Sequence, residues 1–422
     1  MFSWLKRKPQ EKSIVALDIG TDNVKALVFS IEEKQSMAGE VIGRRAVVRG
    51  VGKVPLRPGD IQNNVITDIA SVVRSTKEAI RQASHEAGRQ PSQLVLGIAG
   101  EFVKGATSTM VFPREDVQSK INLAELRNIV HKLQWRAFGD VRKALAEETG
   151  YPEIDIKLIE SSIVEVRIDK YRVSNPLGFQ GKEVEMSIFN AYAPLGHYGA
   201  LQGISDELGL ELLGIVSEPF AMSRCIETEE GQSAIYIDVG GGSTDIAVVS
   251  NGCVVGTRMF GIGGRTFTKR LSVELNISFE EAEKLKLAYT ADRVEQKSKK
   301  IIGDIINDDM EVWLEGAVLA LSEFKLETLP PKILLCGGGT FLPEFKAILN
   351  TAKWYKRLPF ARTPQATVMA PKEIHSIIDE TKRIRERDDI VPMALVSEGV
   401  RLSGDETIVQ KVLRKVIGIM KV

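Results

Sequence analysis

The sequence predicts an α/β fold of two similar lobes sharing one ligand cleft, and three short stretches carry that prediction. Ser13 to Ser30, SIVALDIGTDNVKALVFS, reads as an apolar strand ending at Asp18, a turn at Gly20-Thr21 and a returning strand from Val24 to Phe29. Ala234 to Val249, AIYIDVGGGSTDIAVV, repeats the plan: a strand from Ala234 to Ile237, then Asp238, the turn Gly240-Gly241-Gly242 and a strand from Asp245 to Val249. A third glycine turn, Gly337-Gly338-Gly339, follows the apolar run Ile333-Leu334-Leu335-Cys336. Two Asp-x-Gly hairpins in separate halves indicate an internal duplication with one ligand between the halves. Turns without Cβ atoms let backbone N–H groups converge on a phosphate, and a strand-end acid can hold the hydrated Mg²⁺ that accompanies it. Alone, either hairpin would equally serve as an ordinary core turn. The three together favour a nucleotide.

This set resembles the actin-like ATPase superfamily, which includes actin, the seventy-kilodalton chaperones, sugar kinases, MreB and FtsA. The resemblance implies an actin-like two-lobed duplicated fold with RNase H-like halves, and ATP with Mg²⁺ as cofactors. It makes Asp18-Ile19-Gly20-Thr21 the first phosphate loop and Asp238-Val239-Gly240-Gly241-Gly242-Ser243-Thr244 the second, with Asp18 and Asp238 on the metal side. Gly337, Gly338 and Gly339 then lie against adenine and ribose. Lys25 matches a phosphate-contacting lysine of actin, whereas FtsA sequences often place it at the position of Asn23; an exposed strand lysine is the alternative.

Composition is that of a soluble globular protein of two to four domains: 422 residues, 43% hydrophobic and 27% charged. Lys+Arg and Asp+Glu both number 56, so no bulk field attracts nucleic acid or membrane. The cysteines, Cys225, Cys253 and Cys336, are far apart and imply neither a disulfide framework nor a zinc site. No apolar run reaches the ~18 residues of a membrane span, and the start of the chain carries no signal-peptide core; a cytoplasmic protein is expected. The basic-aromatic tip Met1 to Pro9 is a candidate lipid contact or a frayed end.

Between the loops, Gly39 to Gly52 reads as a strand and Ile66 to Ala83 as an amphipathic helix. Asp60 to Asp68 resembles the loop entering this helix in FtsA. Strands from Leu94, a helix from Leu123 to about Leu145 and the alternating run Ile156 to Ile168 make a compact unit before Asn175-Pro176-Leu177-Gly178. Its size and place resemble the small α+β subdomain inserted in FtsA. Residues 12–90, 175–230 and 388–404 are assigned to the first lobe, 91–174 to the insertion, 231–260 and 331–387 to the second-lobe core, and 261–330 to a helical nucleotide-binding part.

Ile215 to Ala221 joins the lobes. In MreB an acid before a proline at the matching place orients the water attacking the γ-phosphate, so the resemblance makes Glu218 the positioning acid with the Thr244 hydroxyl beside it. The alternative for Glu218 is a first-turn acid on the helix at Pro219. Gly263 and Gly264 open a helix from Phe267 to Leu275, and Ser278 with Glu281 forms a capping box for the next. Glu283 and Lys286, three apart on that helix, match a pair that holds ribose and adenine in MreB and the chaperones; a surface ion pair is the alternative. The stretch 291–330 lacks the sequence that in FtsA supplies strands docking the FtsZ tail, which puts tail binding in doubt. The mixed-charge run Lys382 to Asp389 reads as a solvated loop or helix end.

Thr407 to Val422 closes the chain with Val409, Val412, Leu413, Val416, Ile417 and Met420 on one helical face and Lys411, Arg414, Lys415 and Lys421 supplying charge. Such a helix, at 408–422, is expected on an anionic membrane, with packing on the first lobe as the alternative. The resemblance implies an ATP-binding, self-polymerising protein at the inner membrane face that anchors the FtsZ division ring, with slow ATP hydrolysis or none. A PilM-like scaffold for type IV pilus assembly is the second reading. A small-molecule kinase ranks third, since no second pocket with an aspartate base is identifiable.

Overall fold

A computed structural model describes residues 13–35, 41–62, 65–100, 103–150, 155–226, 232–404 and 406–420. The basic-aromatic tip and Lys421 lie outside the described residues.

The chain opens with an antiparallel meander of β1 (Ile14–Ile19), β2 (Asn23–Gln35) and β3 (Val41–Pro55). A small hairpin, β4 (Ile61–Gln62) and β5 (Val65–Ile66), leads into α1 (Ile69–Ala87), and β6 (Gln93–Ile98) then pairs parallel to β1. Helix α1 starts three residues later than its periodicity predicts because the Asp68 carboxylate accepts the Ser71 N–H, and it stops where Gly88 adopts left-handed backbone. The insertion follows as β7 (Lys104–Pro113), α2 (Leu123–Thr149), β8 (Ile156–Ile168), β9 (Tyr171–Arg172) and β10 (Glu183–Pro194). Helix α3 (Leu195–Leu208), β11 (Glu211–Ser217) and α4 (Glu218–Cys225) return to the first lobe. The second lobe contains β12 (Ala234–Val239), β13 (Thr244–Ser250), β14 (Cys253–Phe260), α5 (Gly264–Leu275), α6 (Phe279–Thr290) and α7 (Gln296–Ser322). It continues with β15 (Lys332–Cys336), α8 (Pro343–Thr351) and β16 (Gln365–Val368). Strand β17 (Ile377–Asp379), α9 (Ile390–Leu402) and α10 (Ile408–Met420) complete the chain.

The duplication is visible in strand order. One sheet runs β11-β6-β1-β2-β3-β17 and the other contains β15-β12-β13-β14, each with an antiparallel hairpin flanked by a parallel strand. Helices α4 and α9 lie between the two sheets, where Phe220, Ala221, Met393 and Leu395 meet Phe29, Val95, Tyr236 and Ala247 in a continuous core. The fold is the two-lobed actin-like one.

Two expectations need correction here. Strand β10, assigned to the first lobe from sequence, runs between β7 and β8. Its Val184, Met186 and Ile188 pack with Leu126, Val130 and Leu133 of α2, so burial of that alternating face draws it into the insertion. The insertion's sheet is also continuous with the second lobe, through pairing of β7 with β14 at Ala106 and Gly256. The second correction concerns α10. Its Val409, Val412, Leu413 and Val416 are buried in the same cluster as the α2 residues. The apolar face expected on a membrane is therefore already covered, and by the insertion rather than the first lobe. About three turns of apolar stripe next to an apolar helix lose more water by packing than by remaining open. Among the described residues no helix is long and apolar enough to cross a membrane, and no strand lies between 291 and 330, where α7 runs alone.

Candidate functional site

The β1–β2 and β12–β13 turns face each other across a cleft that encloses about 150 Å³. Its walls include Asp18, Gly20, Thr21, Asp22, Asn23 and Lys25 from the first hairpin and Asp238, Gly240, Gly241, Ser243 and Asp245 from the second. Gly97, Ala99, His197, Glu218, Gly337, Gly338 and Asp388 complete it. In the second loop, Gly240 N–H donates to Ser243 O at 2.8 Å, while Gly264 and Arg265 N–H groups of α5 hold the carbonyls of Gly240 (2.9 Å) and Gly241 (2.8 Å). The N–H groups of Gly241, Gly242 and Ser243 find no protein acceptor among the described residues, which leaves a nest suited to an anion. Gly337 is required where it stands: its φ is +88°, and a Cβ there would lie 2.0 Å from Asp238 Oδ1.

Four carboxyls converge on this gap. Burial pushes Asp18 up to about 6 and Asp238 up to about 7. Burial, with the surrounding acids, raises Glu218 and Asp245 well above the usual carboxylate range. Lys25 stands beside Asp18 in the hairpin register, and its amine is already claimed by Asp388, through the Asp388 carbonyl and a 2.8 Å bond to Oδ2. In the cleft, Asp238 Oδ1 is buried and has no hydrogen-bond partner among the described residues. Among the described residues no three such side chains stand close enough to ligate a metal directly. The donor set fits an ion held through its own water shell, as Mg²⁺ commonly is.

A family model described as cell division protein FtsA matches residues 235–413. Cell division protein FtsA of Neisseria meningitidis serogroup B is 25% identical over 424 residues, covering 94% of this chain and 92% of that one. FtsA of Pseudomonas aeruginosa is 28% identical over 283 residues, or 66% and 61% of the two chains. The chain is thus similar to cell division protein FtsA over most of its length. A chain of the PilM–PilN type IV pilus biogenesis complex superposes with a TM-score of 0.62 at 17% identity, over 93% of the FtsA-like chain and 99% of its own length, which speaks for the fold alone.

Most of the residues singled out from the sequence lie together at the cleft. Asp18, Gly20, Thr21, Asp238, Gly240, Gly241, Ser243, Gly337, Gly338 and Glu218 all line the cleft. Gly242 stands between Gly241 and Ser243 in the turn, and Gly339 packs against Val239. Thr244 does not fit a catalytic role. It is fully buried, its hydroxyl donating to Ile262 O at 2.7 Å and accepting the Trp313 indole N–H at 2.8 Å. Residues 244 and 245 point to opposite faces of a strand, so the side chain turned to the cleft is Asp245. Glu283 and Lys286 are not a surface pair. Lys286 is buried, bonded to Glu283 (2.8 Å), the Gly264 carbonyl (3.0 Å) and Thr268 (2.7 Å), and so fastens α6 behind the Gly263-Gly264 turn. Asp388 corrects the reading of 382–389 as a solvated run: it is held by Lys25 and by Lys53 at 2.9 Å, inside the cleft wall. Burial opposes its charge, but the two lysines win and keep its carboxyl below the usual range. His197, whose pKa burial lowers, also lines the cleft, and nothing local in the sequence marks it.

Proposed function

We propose that the FtsA-like chain is a cell-division protein that binds Mg·ATP between its lobes and polymerises head to tail at the inner membrane face. The observation that carries the nucleotide part is the meeting of Asp18, Glu218, Asp238 and Asp245 at the gap between two phosphate-type loops, with Lys25 the single cation among the walls drawn from those hairpins. Asp18 and Asp238 would hold the hydrated Mg²⁺, which neutralises phosphate charge. The nest at Gly241 to Ser243 would take phosphate oxygens. Glu218 would orient the attacking water, a positioning role that suits slow hydrolysis. Membrane attachment is not assigned to residues 408–420, where Val409, Val412, Leu413 and Val416 are buried, but to division partners.

The second reading, a cytoplasmic ATP-binding scaffold for type IV pilus assembly, is favoured by one observation: α7 stands without strands in 291–330, where an FtsZ tail would dock in FtsA. Both readings are tested by sedimenting the full chain with and without Mg·ATP. Pelleting that requires ATP and disappears in Asp238→Ala supports a nucleotide-driven filament. The same pelleting in the presence of an FtsZ tail peptide or a pilus-protein peptide separates the two. No ATP-dependent thermal shift or pelleting would remove the nucleotide reading altogether.

A further inference from the structure

Resting on the nucleotide reading above, we propose that Arg265 is a phosphate-binding residue held in reserve by Asp22, so that nucleotide entry exchanges one anion for another on the same guanidinium. Arg265 sits in the first turn of α5, on the second lobe, and its backbone N–H holds the Gly241 carbonyl at 2.8 Å. Its side chain crosses the cleft to the first phosphate loop. Nε donates to Asp22 Oδ1 at 2.5 Å and Nη2 to the Thr21 carbonyl at 3.0 Å. The other Asp22 oxygen rests over the second loop, 2.1 Å from where a Cβ on Gly241 would be. A carboxylate of this chain therefore stands at the glycine turn, where the phosphate is expected.

Two anions cannot share that place without strong repulsion. The Asp22–Arg265 pair is half open to solvent, with side chains 46% and 25% exposed, so breaking it costs little. A phosphate carries more charge than a carboxylate and matches the guanidinium fork equally well. The positive end of α5 adds to its attraction. Displaced by phosphate, Asp22 swings to solvent, and Arg265 remains where its backbone is anchored, with its donors free for the newcomer. Because the pair spans the lobes, the exchange also moves the inter-lobe tie from protein–protein to protein–ligand.

The test is calorimetric titration of Mg·ATP into the full chain. Asp22→Asn should bind about tenfold tighter than the wild type, since a like charge is gone and Arg265 is free. Without nucleotide, the same variant should melt slightly lower, because it has lost an inter-lobe pair. Arg265→Gln should bind at least about tenfold weaker, and Arg265→Lys should recover part of that loss. Equal or weaker binding by Asp22→Asn in a chain that melts cooperatively would overturn the exchange, as would unchanged affinity in Arg265→Gln. If wild type and all variants fail to bind Mg·ATP at millimolar concentration, the nucleotide reading fails with it, which separates the two failures.

Discussion

Two of the places where this molecule withdraws acids from solvent do so in opposite ways. At the cleft, Asp18, Glu218, Asp238 and Asp245 face one another, and their one lysine is shared with Asp388. At the junction of insertion and first lobe, Glu160 of β8 and Glu398 of α9 are also withdrawn from solvent, but Arg401 lies between them. Its guanidinium bonds Glu398 directly and Glu160 at 2.8 Å. Burial and the neighbouring Glu398 still push Glu160 up to about 8. A raised pKa thus marks both places and distinguishes neither. What separates them is a fixed cation at bonding distance: the junction carries its own in Arg401, although Glu160 Oε2 is left without a hydrogen-bond partner, whereas the cleft gains most from a cation brought from outside.

The largest expected effect breaks the junction. Arg401→Ala leaves two buried acids without a partner and should lower stability by about 3–5 kcal/mol in thermal or urea unfolding. A loss below about 1 kcal/mol would mean the arginine is not what holds the insertion. The cleft should respond with the opposite sign. Asp238→Asn removes a repelling charge and should raise the stability of the ligand-free chain by about 1–3 kcal/mol at pH 8, while cancelling the thermal shift caused by Mg·ATP. Destabilisation by that change would erase the contrast.

The contrast sharpens with pH. Asp18 and Asp238 bind protons more tightly folded, at about 6 and 7, than the 3.8 expected of the unfolded chain. Stability drawn from these groups is therefore full below about pH 4 and is lost as pH rises through 6 to 7. Mg·ATP affinity should climb over the same window, by up to about tenfold per pH unit, as the acids give up their protons. Titration between pH 5.5 and 8 checks both, and a flat affinity profile would mean the carboxyls do not meet the metal. The smallest effect separates the buried Thr244 from Glu218 at the cleft. Thr244→Val should cost about 1–2 kcal/mol by stranding the Trp313 N–H, with ATP turnover unchanged. Glu218→Gln should slow turnover and spare affinity; equal turnover would return Glu218 to the helix start.

Much of this was legible in the residues because it is written locally. The two hairpins, the capping box at Ser278 and Glu281, and the limits of α2 and β8 follow from the periodicity and end signals of adjacent residues. The glycine turns could be placed for the same reason: close backbone approach depends on the residue standing at the turn.

Long-range pairing was not written that way. The sequence by itself determined two Asp-Gly hairpins, an insertion between them and an amphipathic last helix. Only the tertiary structure decided that Asp388 reaches Lys25, that Arg265 meets Asp22, that Thr244 turns to Trp313 and leaves the cleft to Asp245, and that α10 covers α2. Each of those outcomes depends on which distant group arrives within about 3 Å, the distance at which hydrogen bonds and ion pairs act. Spacing along a chain does not fix that distance; packing of the two lobes does.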